Sequence, residues 1–137
     1  MTTGSTKTGY TLAGTTSLPF ADAIARVRET LKEEGFGVLT EIDVRATLRE
    51  KLGAETDPYV ILGACNPPYA HEALAREPQL GALLPCNVVV HERAGVTNVF
   101  AVDPAAMLGI VGNPALEPIA DEISAKVERA LRKVWET

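Results

Sequence analysis

The chain is poor in the residues on which small secreted or metal-stapled folds depend: it has two cysteines and two histidines in 137 residues. Two cysteines make no disulfide framework, and in a reducing compartment both are expected to be thiols. There is no CxxC pair, and the spacing of Cys65, His71, Cys86 and His91 fits no zinc-finger pattern. Cys86 and His91 are five positions apart, so an uninterrupted strand would turn them to opposite faces, and no metal site is expected. Gly63, Gly81, Gly109 and Gly112 form neither GxGxxG nor a P-loop, so no nucleotide phosphate site and no cofactor are expected. Lysine and arginine number 13 against 18 acidic residues, a net charge of −5. That balance is wrong for a surface that neutralises nucleic-acid phosphate or an anionic membrane. No apolar run reaches bilayer length, and the polar start MTTGSTKTGYT lacks the apolar core of a signal peptide, so a cytoplasmic protein is expected. Repeats, low-complexity linkers and internal boundaries are missing as well. One domain over residues 7–137 is expected, behind a disordered tail at 1–6 that has nothing to bury.

What the chain does have is concentrated between Asp57 and Val90, where both cysteines lie in two apolar runs separated by a helical insert. Tyr59 to Cys65 reads as a strand that stops at Asn66-Pro67-Pro68, because proline cannot pair in a ladder but suits the first turn of a helix. Asn66 is the expected N-cap of a helix from Pro67 to about Arg76, ended by Glu77-Pro78. The valine-rich run from Pro85 to Val90 reads as a second strand with Cys86 at its beginning.

On either side of this stretch the patterns are regular. Lys7 to Thr16 suits a strand, and a helix after Pro19 carries Phe20, Ile24, Val27 and Leu31 as one stripe and stops at Gly35. Phe36 to Ile42 is strand-like, with Val38, Thr40 and Ile42 on one face and Gly37, Leu39 and Glu41 on the other. Asp43 caps a short helix on which Val44, Leu48 and Leu52 align, closed by Gly53. His91 to Gly95 turns the chain into a strand from Val96 to Val102, forming a hairpin. Asp103-Pro104 opens a helical turn, and a long helix from Glu117 buries Ile119, Ile123, Val127, Ala130, Leu131 and Val134.

Strand, helix, four strands, helix, with short helical inserts, makes an α+β protein: a β-α-β(4)-α antiparallel sheet with two long helices on one face. The two central strands are apolar on both sides, so the second face also calls for cover. A homodimer is expected on this ground.

The segments EGFGVLTEIDV (Glu34 to Val44), YVILGACNP (Tyr59 to Pro67), LLPCNVVV (Leu83 to Val90) and DPAAMLGI (Asp103 to Ile110) together resemble a prokaryotic family catalogued as domain of unknown function 302, DUF302. The resemblance runs from about Phe20 to the C-terminus. It implies a β-α-β(4)-α fold similar to that of the TATA-box-binding protein, and a dimer, but no activity and no catalytic roles.

Cys65 is the foremost candidate for chemistry, since a thiol beside a helix N-terminus is favoured as thiolate. The commoner role of a free cysteine is a small buried apolar residue. Cys86 would lie near Cys65 if their strands are antiparallel neighbours, an arrangement compatible with a redox or sulfur-transfer pair. Asp43, Asp57 and Asp103 read as caps and turn formers, not acid-base groups. His71 is placed on a helix surface and His91 at the hairpin end. The leading reading is a non-catalytic binding or accessory module whose small-molecule site, if it has one, is formed by Cys65, Asn66, Tyr69, Cys86 and Asn87. The alternatives are thiol chemistry on Cys65 and Cys86, and a purely structural dimerisation module.

Overall fold

The computed structural model describes residues 5–137. In chain order the elements are Ser5–Lys7 (β1), Thr11–Thr16 (β2), Phe20–Glu33 (α1), Gly37–Asp43 (β3), Val44–Leu52 (α2), Tyr59–Cys65 (β4), Pro67–Arg76 (α3), Cys86–Arg93 (β5), Val96–Val102 (β6), Pro104–Gly109 (α4) and Glu117–Trp135 (α5). Short 3-10 turns stand at Pro78–Leu83 and Pro114–Leu116. The six strands form one sheet in the order β1-β2-β6-β5-β4-β3. Every neighbouring pair is antiparallel. Helices α1 and α5 pack on one side of it, burying Val27, Leu31, Val127 and Leu131 against Leu62, Val88, Val90 and Val99. This is the expected α+β architecture with one further strand.

The further strand is β1. Ser5 and Thr6, expected in the disordered tail, pair with Gly14 and Ala13, while residues 1–4 lie outside the described residues. Polar residues can form such a strand because the sheet edge supplies the ladder. The turn before β2 is held by Thr8, whose Oγ1 accepts the Thr11 N–H at 2.8 Å. Lys7 is tied down by the carboxylate of Asp103 at 3.4 Å. The strand expected from Lys7 to Thr16 is thus a turn and two strands.

Helix ends follow the local chemistry. At the end of α1, Gly35 adopts φ 87°. Its N–H donates to Lys32 O at 3.0 Å and that of Phe36 to Leu31 O at 2.9 Å, a Schellman closure that orphaned carbonyls favour. Asp43 Oδ1 accepts the Ala46 N–H at 2.9 Å and opens α2. Asp103 Oδ1 accepts from Ala105 N at 3.0 Å to open α4, and also from Ser124 Oγ at 3.1 Å. Helix α5 begins at Glu117, after the turn at Pro114, as its sequence implies.

Strand β3 corrects the expected alternation. Val38 pairs with Ala64 but Thr40 with Gly63, so Leu39 is the extra residue of a bulge. Directly paired residues share a face. Val38 therefore lies on the helix side with Ala64, whereas Thr40 and Ile42 lie with Gly63 and Ile61 on the other. Glu41 comes round to the helix side, where it pairs with Arg28. Leu39 is left 67% exposed.

The hairpin is also tighter than expected. Strand β5 continues through Arg93, and the turn is Ala94-Gly95, both at positive φ (51° and 78°). His91 therefore sits inside the ladder, opposite Tyr59 and Asn98. Its Nε2 is 3.0 Å from Asp57 Oδ2, and its ring lies 5.0 Å from that of Tyr59.

The sheet face away from α1 and α5 carries Ile61, Val89 and Phe100 in register across β4, β5 and β6. Helix α2, which buries none of its residues, packs near β3 and β4. Ile61 and Phe100 are half-buried and Val89 between them is buried.

Candidate functional site

Strand β4 ends at Cys65 because Pro67 and Pro68 cannot continue the ladder, and α3 departs from there with Pro at its first two positions. Strand β5 enters beside it, placing Cys86 opposite Ala64. The arm made by α3 and the turn Pro78–Leu83 does not close onto this end of the sheet. A cavity of about 250 Å³ is left between the arm, the ends of β4 and β5, helix α4 and Ile123 of α5.

Its walls are almost wholly apolar. Phe36, Ala73, Leu80, Pro85, Met107 and Leu108 line it together with both cysteines. Leu39, put there by the bulge in β3, and Leu74 stand at exposed positions on its rim. Tyr69 and Asn66 supply the polar side chains of the lining. The neighbouring Glu122 carboxylate first, then burial, raises the Tyr69 phenol above its ordinary range. Lys126 Nζ stands 5.9 Å from the centre of the same ring.

The structure thus brings Cys65, Asn66, Tyr69 and Cys86 to one cavity and leaves Asn87 out. Asn87 pairs with Gly63 and is exposed, pointing away from the face that Cys86 and Val88 share. Asn66 holds the N-cap position but makes no side-chain cap bond. Its Nδ2 instead donates to Glu34 O at 3.1 Å, and the amide lies against Gly35. Its work is to tie the start of α3 to the end of α1.

Both cysteines are free. Cys65 is half-buried and Cys86 buried. Burial first, and the neighbouring Cys65 second, push the Cys86 thiol up to about 11. The helix N-terminus beside Cys65 presents few donors, since Pro67 and Pro68 have no N–H and that of Ala70 is bonded to Asn66 O at 2.9 Å. His71 is exposed on α3, and His91 lies at the far end of β5, so neither histidine joins the thiols. Among the described residues no three His, Cys, Asp or Glu side chains are grouped to hold a metal. No described helix is long and apolar enough to cross a membrane.

Met107 and Leu80 were not among the residues the sequence singled out, and Ile123 was read only as a buried residue of the long helix. Met107 falls in the DPAAMLGI segment, which marked a family likeness but not a wall of this cavity.

No curated protein was found to match the chain. A solved structure, that of the uncharacterized conserved DUF302 protein from Bacillus stearothermophilus, superposes with a TM-score of 0.86 at 34% identity, covering 90% of this chain and 97% of that one. Residues 12–134, which contain every wall of the cavity, match the family described as Domain of unknown function DUF302, and the chain belongs to that family.

Proposed function

We propose that the protein is a cytoplasmic, non-catalytic binding module that takes a small, neutral, apolar molecule into the cavity at the cysteine end of the sheet. The observation that carries this reading is an apolar space of about 250 Å³ bordered by residues from β4, α3, β5, α4 and α5. Dry apolar cavities of about 150 Å³ accept benzene. Apolar walls with few polar groups are the usual composition of a small-molecule site. A thiol held protonated by burial, as Cys86 is, weighs against the alternative of thiol chemistry on this pair.

Indole, an apolar probe with one N–H, tests the proposal by titration into isotopically labelled protein. The expected result is saturable shifts at Cys65, Tyr69, Ala73 and Met107 that vanish in Ala73→Phe, which fills the space. Shifts scattered over the surface, or undiminished in Ala73→Phe, would overturn it.

The row Ile61, Val89 and Phe100 supports a second proposal, that the open face pairs two copies of the chain. An uncharged apolar row is self-complementary about a twofold axis, as a symmetric dimer requires. Sedimentation equilibrium should give twice the chain mass for the native protein and the single mass for Phe100→Glu. A monomeric native protein at micromolar concentration would sink it.

A further inference from the structure

The arm that borders the cavity, α3 with the 3-10 turn Pro78–Leu83, has few ties to the rest of the molecule. Among the described residues no backbone hydrogen bond joins it to another element. The Glu77 N–H donates to Ala73 O at 2.9 Å, that of Leu80 to Glu77 O at 3.0 Å and that of Leu84 to Gly81 O at 3.3 Å, all within the arm or at its foot. Proline stands at both feet, as Pro67-Pro68 and as Pro85.

Two side-chain hydrogen bonds hold it, one at the foot and one at the tip. At the foot, Asn66 Nδ2 reaches Glu34 O at 3.1 Å. At the tip, where α3 passes into the 3-10 turn, Asn113 Nδ2 donates to Glu77 Oε1 at 3.3 Å. Both tip residues are half-buried, and a bond to a carboxylate is stronger than one between neutral groups. Asn113 is itself fixed, since its Oδ1 accepts the Ala115 N–H at 3.0 Å ahead of α5. Otherwise the arm rests on buried Ala73 and Leu80, and on the Tyr69 ring beside Lys126. Apolar burial is non-directional, so the tip bond is the contact that fixes where the arm stops.

We propose that the arm is a lid over the inner part of the cavity, hinged at Pro67-Pro68 and Pro85, and that the Asn113–Glu77 hydrogen bond is its latch. Cys86 and Met107, 7% and 8% exposed, form the inner wall. A ligand as broad as indole reaches them when the arm lifts, and segments with few ties are the ones that open locally. The lid's role as a gate rests on the apolar-ligand reading, whereas its movement does not.

Buried Cys86 reports that movement in the ligand-free protein. The test is alkylation of the reduced chain with N-ethylmaleimide, resolved by peptide mass spectrometry, at several urea concentrations below the unfolding transition. The Cys86 rate should barely change with urea, because lifting the arm exposes little surface compared with unfolding. Glu77→Ala deletes the acceptor and should raise the rate by about tenfold, the factor for one hydrogen bond to a charged group. Asn113→Asp keeps the acceptor for Ala115, sets a second carboxylate against Glu77 and should raise it at least as much. Glu77→Gln retains an acceptor and should stay near the native rate. Urea midpoints of the variants separate a loosened arm from a weakened fold. A Cys86 rate with the full urea dependence of global unfolding, or one unchanged in either Glu77→Ala or Asn113→Asp, would overturn the lid. Saturating indole should slow the reaction at Cys86. Faster labelling in the variants without any protection by indole would sink the apolar-ligand reading and leave the lid standing.

Discussion

Helix α5 has two ends, and the core beneath them is finished in opposite ways. At its C-terminal end Trp135 is 4% exposed, and its Nε1 donates to Val99 O at 2.9 Å. A Cβ on Gly14 would stand 2.7 Å from atoms of the indole ring, so strand β2 has given up a side chain to admit it. Near the N-terminal end, Ile123 borders a cavity of about 250 Å³. One fold therefore packs one end of its core to contact and leaves the other unfilled. Protein interiors are close-packed, and an empty apolar space forgoes contact energy that a larger side chain would recover. Ala73, at 3% exposure, stands on the wall where such a side chain would fit. The vacancy is a property of this site, not of the fold's capacity to pack.

The largest effects are expected at the packed end. Trp135→Ala should cost about 3–5 kcal/mol, the range for losing a large aromatic from a core. Gly14→Ala should cost about 1–3 kcal/mol, because the ring, pinned by its bond to Val99, must move to admit a methyl group. Urea unfolding measures both. Costs below about 1 kcal/mol for both would mean that the end is loosely packed and that the contrast with the cavity is false.

How far this contrast was legible in the sequence differs between its parts. The elements themselves were, because Gly35, Asp43, Pro67, Asp103 and Glu117 each mark a boundary through local chemistry that the fold retains. The convergence of Cys65 and Cys86 was legible too, since both border adjacent strand ends. The bulge at Leu39 was not: Val38, Thr40 and Ile42 alternate as an unbroken strand would, and only pairing with β4 reveals the extra residue. Strand β1 was hidden because Ser5, Thr6 and Lys7 carry no apolar pattern, their order coming from the edge of β2 and from Asp103. The cavity was the least legible feature. A sequence shows which side chains are apolar but not that those of α3, β5 and α4 fail to meet. Likewise Asn66 reads as a cap by position, while its amide is taken by Glu34 from a different helix end.

Adding volume at the other end gives the sharper form of the comparison. Ala73→Phe should leave stability unchanged or raise it by up to about 2 kcal/mol, as cavity-filling substitutions do. The same operation, an enlarged side chain in the same core, would thus have opposite signs at Gly14 and Ala73. Urea midpoints at constant slope measure the pair. A loss at Ala73 equal to that at Gly14 would mean that α3 has no room to spare, and the cavity would then be too small for any ligand.

The smallest effect concerns pH and asks whether the inner wall of the cavity is dry. Burial, with the adjoining Cys65, raises the Cys86 thiol from 9.0 to about 11 in the folded chain. Between these values the unfolded chain has released the proton while the folded chain retains it. The folded state then binds more protons, so stability falls as pH rises. The contribution is fully present below pH 9 and is lost as pH climbs through 11. Cys86→Ala removes this dependence and leaves every other titrating group in place. The stability of the native protein relative to that variant should therefore hold steady up to about pH 8 and decline from there toward pH 11. Equilibrium unfolding of both proteins across that interval, under reducing conditions, gives the difference directly. Parallel curves would mean that water reaches Cys86 in the folded state, since a solvated thiol titrates alike in both states. A wet inner wall would remove the desolvated space that distinguishes this end of the core from the one closed by Trp135.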